Sequence, residues 1–107
     1  MESVDRHLEL IRSMIQHKNE MYGDAFHKTW EEYGLRSVCI RLTDKICRLK
    51  NLEKKDLHKN FPAIWDTLSD IIGYSLLALT ELEEEDKKIL QYEREKRRTH
   101  FLTEPRH

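Results

Sequence analysis

The feature that most constrains this chain is how rarely its helical periodicity is interrupted. It has only three glycines and two prolines in 107 residues. Apolar residues recur at three- and four-residue steps along almost every long segment, and no stretch alternates in the way of a strand. The pattern predicts an all-α fold, a small helical bundle of four to five helices. Because a chain this short buries a modest core, we expect it to assemble as a homo-oligomer.

The first half of the chain contains three predicted helices. The first runs from about Val4 to Tyr22, with Gly23 ending it and Asp24 capping the next. The second is a short helix from Ala25 to Tyr33, closed by Gly34. The third covers residues 35–52, and its predicted inner face comprises Leu35, Val38, Cys39, Leu42, Ile46 and Leu49.

The second half begins with a polar loop over residues 53–60. Pro62 suits the first turn of the next helix, which we run to about Glu84. Its middle, Ile71–Leu79, is apolar nearly all round, which predicts burial against a partner subunit. A charged helix over residues 81–98 and a frayed tail over 99–107 follow, so that residues 1–107 form one domain with its core at about 4–80.

Overall charge excludes some classes of function. Charged residues make up 36% of the chain, yet the net charge is only -1. This balance gives no general attraction to a nucleic acid polymer. No apolar run reaches membrane-spanning length, and the N-terminus lacks the features of a signal peptide, so we expect a cytoplasmic protein without a membrane partner.

The turn between the first two predicted helices is a candidate anion site. Backbone N–H groups at a helix N-terminus attract anions, and Lys18 and Tyr22 are near enough to reach the same place as Asp24. An aromatic ring beside a glycine turn can also stack a base. Alternatively, Gly23 and Asp24 are helix caps, and the aromatic residues at 22 and 26 belong to the core.

One face of the third predicted helix is cationic. Arg41, Lys45 and Arg48 recur at three- and four-residue steps around a single carboxylate, Asp44. Arginine forks and a lysine ammonium suit phosphate groups. Alternatively, these are solvated surface pairs worth about 0.3–0.5 kcal/mol each.

A third constellation places Asp66, Asp70 and Tyr74 on one helical stripe. Two aspartates one turn apart repel each other unless a cation lies between them, and Mg²⁺ shared with substrate phosphates would serve. Alternatively, Asp66 favours the helix N-terminus and Asp70 pairs directly with Lys45 or Arg48 on another helix.

The order of these elements resembles the phage nucleotide modification associated domain, type 1, over roughly residues 18–79. The resemblance is carried by four short motifs in the right order: Tyr22, Gly23, Asp24 and Phe26; Tyr33, Gly34 and Leu35; Arg41, Asp44, Lys45, Arg48 and Asn51; Asp66, Thr67, Asp70 and Tyr74. It implies a nucleotide-related role for a phage-encoded protein in the cytoplasm of the infected cell. The order is also similar to a distant version of the MazG-type all-alpha nucleotide pyrophosphatases, in which acidic residues on two helices hold Mg²⁺.

The chain departs from both patterns in its carboxylates. The MazG-type site needs two acidic pairs, and here the first of the two helices offers only Asp44. Pro62 stands where the type 1 family commonly has a glutamate. The metal ligands implied for a hydrolase are therefore Asp44, Asp66 and Asp70 alone, which is a weak set for two metals.

Our leading hypothesis is a protein that binds a nucleotide or cyclic nucleotide at a subunit interface without cleaving it and without a cofactor. The phosphate contacts would be Arg41, Lys45 and Arg48. A base would stack on Tyr22, Trp30 or Tyr74, with Asp44, Asp66 and Asp70 orienting the cations. Phages carry small oligomeric sponges for nucleotides made by bacterial immune systems, which gives such binding a use by analogy.

Two other hypotheses stay open at this point. One is an Mg²⁺-dependent pyrophosphohydrolase acting on a nucleoside triphosphate, in which Lys45 and Arg48 contact the phosphates. The other is a non-enzymatic helical adaptor whose apolar and charged helices mediate assembly.

Overall fold

Four helices make up the computed structural model, which describes the backbone of residues 1–22 and 24–103 and the side chains of 1–20 and 24–98. The helices are α1 (Glu2–Tyr22), α2 (Ala25–Tyr33), α3 (Leu35–Glu53) and α4 (Phe61–Thr103). No strand occurs within these ranges, so the all-α prediction is confirmed. Gly23, the predicted end of the first helix, lies outside the described residues.

The junction of α2 and α3 forms as predicted. Gly34 has a φ of 63° and a ψ of -147°, a conformation that favours glycine. Its N–H donates to the carbonyl of Trp30 at 2.7 Å. The start of α2 differs from the prediction, because the side chain of Asp24 makes no capping hydrogen bond. Asp24 has a φ of 68°, and it contributes to the start of α2 through its carbonyl, which accepts the N–H of Lys28 at 3.3 Å.

α4 is one continuous helix where two were predicted. No glycine or proline lies between Gly73 and Pro105, and the alanine, leucine, glutamate and lysine of this segment are good helix formers. The change from apolar to charged sequence near Glu81 alters what the helix faces without interrupting its hydrogen bonds. At 1.5 Å per residue, its 43 residues span about 65 Å, most of the 72 Å length of the molecule.

The core lies where α2, α3 and α4 meet. Phe26, Trp30, Val38 and Ala78 are buried together there. On α3 the predicted inner face is only partly right, because Leu35, Cys39 and Ile46 are exposed. The side of α3 that faces the interior is instead centred on Val38, Lys45 and Leu52, which recur at seven-residue steps.

Within one copy of the chain, the apolar middle of α4 is covered on one side only, and its burial against a partner subunit stays a prediction. Gly73 and Ala78 are buried, whereas Ile72, Leu76 and Leu79 on the other side of the helix are exposed. α1 packs on α4 through Ile11, Met14 and Ile15. None of the described helices combines the length and the hydropathy that a membrane-spanning segment requires.

Candidate functional site

A cleft of about 440 Å³ lies between α1, α3 and α4, with the start of α2 at its edge. We call it the central cleft. It is lined by Met14, Ile15, Lys18, Asn19, Ala25, Phe26, Arg41, Lys45, Asp70, Gly73, Tyr74 and Leu77. Its volume is within the range of small-molecule binding sites in proteins.

Asp70 joins the three long helices at this cleft. One of its carboxylate oxygens accepts from the Lys18 ammonium of α1 at 2.7 Å. The other is 2.8 Å from the Lys45 ammonium of α3. Asp70 and Lys45 are mostly buried, with 15% and 20% of their side chains exposed, whereas Lys18 is about half exposed.

The charges at Asp70 do not balance. Burial raises the pKa of its carboxyl, but the hydrogen bonds and charges of Lys18 and Lys45 outweigh that effect and hold the pKa below its usual value. The carboxylate is therefore ionised at neutral pH beside two ammonium groups. With Arg41 also lining the cleft, cations exceed carboxylates by two among the described lining residues, which favours an anionic ligand.

Arg41 is held by aromatic rings on one side of the cleft. Its guanidinium carbon is 5.1 Å from the ring centre of Phe26 and 5.4 Å from that of Tyr74. The two ring centres are 6.3 Å apart and their planes differ by 17°. These distances form a triangle, so the guanidinium lies beside the ring pair rather than between the rings. A hydrogen bond of 3.2 Å to the Thr29 hydroxyl also orients it.

The opposite side of the cleft is apolar. Met14 and Ile15 of α1 approach α4 closely at Gly73, where an added Cβ would lie 3.6–3.7 Å from their side chains. Leu77 extends the apolar surface one turn further along α4. The central cleft thus combines a cationic part with an aromatic and apolar part, the two surfaces that a nucleotide needs.

The structure brings five of the predicted site residues together in the central cleft: Lys18, Arg41, Lys45, Asp70 and Tyr74. The alternative that Asp70 pairs directly with a cation of α3 is confirmed for Lys45. Phe26 belongs to a family motif, and one alternative placed it in the core, but it was not among the predicted site residues, and neither was Asn19. The membership of Phe26 in the motif with Tyr22, Gly23 and Asp24 was the signal that could have identified it.

The other predicted site residues do not line this cleft. Asp24, Asp44, Arg48 and Asp66 are exposed elsewhere, and the side chain of Tyr22 lies outside the described residues. Trp30 is only 4% exposed, and its indole N–H donates to Glu85 at 2.7 Å. Its ring is enclosed by the core, so it does not suit a stacking base.

The residues present do not fit the magnesium site of the hydrolase hypothesis. Across the described side chains, no three histidine, cysteine, aspartate or glutamate residues come close enough to hold a metal ion. Asp44 and Asp66 do not line the central cleft, and both oxygens of Asp70 already accept from lysines.

A second, smaller cleft lies between α2 and α4, with a volume of about 230 Å³. We call it the acidic cleft. It is lined by His27, Trp30, Glu31, Glu81, Glu84, Glu85 and Lys88. The His27 ring contacts Glu81 at 2.8 Å and Glu31 at 3.0 Å, and the hydrogen bond to Glu81 raises the pKa of His27. None of the predicted constellations included this cluster.

Comparison with known protein families gives a match over much of the chain. Residues 18–82 match the family described as nucleotide modification associated domain 1. This range is more than half of the chain and contains every charged residue of the central cleft. The resemblance to that family is confirmed, and the similarity to MazG-type enzymes stays a prediction. No curated protein and no solved structure matches the chain.

Proposed function

The chain belongs to the nucleotide modification associated domain 1 family, and from this premise we propose that the central cleft binds a nucleotide or cyclic nucleotide and holds it without cleaving it. The observation that carries the proposal is a cleft in which Lys18 and Lys45 contact Asp70 and Arg41 lies against two aromatic rings.

The phosphate would lie against the cations of α3. A lysine ammonium has three donors, and the contact with Asp70 uses only one of those on Lys45. The guanidinium of Arg41 carries five N–H groups, of which Thr29 accepts one. Asp70 and the aromatic rings hold both cations in place before a ligand arrives, which lowers the entropic cost of binding.

The base would lie on the aromatic and apolar part of the cleft. Phe26 and Tyr74 offer ring surface, and Met14 and Leu77 offer apolar contact. Stacking of a base on an aromatic side chain contributes about 1–3 kcal/mol. A ligand that carries both a phosphate and a base would therefore use both parts of the cleft.

Holding without cleavage is the option that the carboxylates favour. The carboxylate of the cleft is Asp70, and it is already engaged by two lysines. We further propose that the protein acts in the cytoplasm of a phage-infected cell and sequesters nucleotides that serve as immune signals. The support for this last step is the resemblance to phage proteins and the analogy with phage sponges.

The test is isothermal titration calorimetry with a panel of nucleoside mono-, di- and triphosphates and cyclic mono- and dinucleotides, with and without Mg²⁺. We expect one class to bind, and Arg41→Met to weaken that binding about 10-fold to 100-fold, as for the loss of a charge-assisted hydrogen bond. Arg48→Met is the matched control, because Arg48 is on the same helix but outside the cleft.

The fate of the ligand decides between holding and hydrolysis. After incubation with Mg²⁺, chromatography should recover the bound nucleotide intact. Released pyrophosphate that disappears in Asp70→Asn would instead establish the hydrolase. No binding by any nucleotide in the panel would overturn the proposal and leave the adaptor hypothesis.

A further inference from the structure

The two sides of α4 differ in what covers them. Asp70, Tyr74 and Leu77 face the central cleft. At 3.6 residues per turn, a residue nine positions from Asp70 lies on the opposite side of the helix, at about 180°. That residue is Leu79, which is 61% exposed.

An apolar stripe runs along this opposite side, which we call the back face of α4. Its residues are each between 41% and 61% exposed: Phe61, Leu68, Ile72, Leu76, Leu79, Leu82 and Leu90. Between Leu68 and Leu82, the positions on this side carry no charged residue. Seven large apolar side chains on one helix side exceed the scattered exposure that is normal for a monomer, and such patches mark interaction sites.

The spacing of the stripe indicates what covers it. Measured from the midpoint between Ser75 and Leu76, Ile72 and Leu79 lie at equal distances along the helix, and so do Phe61 and Leu90. Leu68 and Leu82 match to within one residue. The stripe is thus nearly unchanged when the helix direction is reversed.

This symmetry is the property required of a two-fold contact, in which the same patch of both subunits faces itself. An unrelated partner would place no such constraint on the spacing. We infer that the back face of α4 is the contact surface of an antiparallel dimer of this chain, with the two-fold axis near Ser75. Ile72 of one copy packs against Leu79 of the other, and Leu68 against Leu82.

The arrangement leaves both central clefts on the outside of the dimer, because each cleft lies on the opposite side of α4 from the contact. Nucleotide binding and dimerisation are therefore separate properties of the chain. A variant that separates the subunits should keep its helical circular dichroism and the ligand affinity of the central cleft.

Sedimentation velocity on the full chain measures the contact. We expect a dimer for the wild type and a monomer for Leu79→Glu, because each copy would then bury an unpaired glutamate against Ile72 of the other, which is strongly unfavourable. Ile40→Glu is the matched control, since Ile40 is a similarly exposed apolar residue on α3, outside the stripe. It should leave the dimer intact. A wild type that is monomeric at every concentration measured would overturn the inference.

Disulfide cross-linking tests the direction of the helices. Cys39 and Cys47 are free and exposed, so both are first changed to serine. In that background, Ser75→Cys should form a covalent dimer on mild oxidation. Leu68→Cys should not cross-link to itself, but a mixture of Leu68→Cys and Leu82→Cys should. Self-cross-linking of Leu68→Cys without the mixed product would show a parallel contact and overturn the antiparallel one.

Discussion

The two clefts along the packed side of α4 carry opposite excesses of charge. Among the described residues that line the central cleft, there are three cations and one carboxylate, Asp70. In the acidic cleft, four glutamates surround His27 and Lys88. The glutamates Glu81 and Glu85 are engaged within the chain, by His27 and by the core residue Trp30. The comparison indicates that the acidic cleft fastens α2 to α4, whereas the central cleft keeps an excess of charge for a ligand.

The largest expected effect comes from the core residue that forms a wall of the acidic cleft. Trp30→Ala should lower the free energy of unfolding by about 3–5 kcal/mol, since it removes a buried ring and leaves a cavity. Urea denaturation measures the change. Trp65→Ala is the control, because Trp65 is only half-buried and should lose clearly less. Equal losses for both would contradict a fastening role for α2 at Trp30.

An intermediate effect is expected at the central cleft. Asp70→Ala should lower the free energy of unfolding by about 1–2 kcal/mol, because two lysines lose their carboxylate while Lys18 stays half solvated. Added inorganic phosphate should raise the melting temperature of this variant more than that of the wild type, since an anion can replace the carboxylate.

Asp66→Ala is the matched control for that experiment, because Asp66 lies one turn earlier on α4 and is exposed. An equal response of the two variants to phosphate would show that the cleft does not attract anions.

The pKa of Asp70 also predicts a pH dependence in the wild type. Because this pKa is lowered in the folded chain, the contribution of Asp70 to stability is present above pH 3.8 and is lost as the pH falls through the lower folded value.

The smallest expected effect is a pH dependence at the acidic cleft. The folded pKa of His27 is raised above 6.5, chiefly by the hydrogen bond to Glu81. Its contribution to stability is therefore complete below about pH 6.5 and is lost as the pH rises through the folded pKa. The melting temperature of the wild type should exceed that of His27→Gln at pH 6, and the difference should shrink toward alkaline pH.

The control for the histidine is His17→Gln, an identical substitution at an exposed position of α1. A constant difference between the wild type and His27→Gln across the pH range would contradict the ionic contact with Glu81.

Much of the fold follows from local sequence. The bounds of α2 were predicted as observed, because Gly34 marks the turn that follows it. α3 ends within one residue of its predicted end, where the polar loop begins. The continuity of α4 was missed because a change from apolar to charged residues resembles a boundary, although it does not interrupt helical hydrogen bonds.

The sequence predicted a set of charged residues for the candidate site, but it could not predict which of them line the same cleft. Arg41, Lys45 and Arg48 share one face of α3 in sequence, yet only Arg41 and Lys45 line the central cleft. The difference depends on how far α3 is rotated against α4, and the periodicity of α3 defines that rotation too loosely to separate neighbouring positions.

By itself, the sequence determined the all-helical class, the principal helix ends, the cationic character of α3 and the membership of a nucleotide-related family. The helical class and the helix ends depend on hydrogen bonds and turns between near neighbours in the chain, and the other two properties depend on which residues stand where. Only the tertiary structure decided that Asp70 meets both Lys18 and Lys45, that Trp30 is enclosed, and that three aspartates do not converge. Those outcomes depend on how whole helices cross and rotate against each other, which is set by packing across the entire core rather than by any one segment.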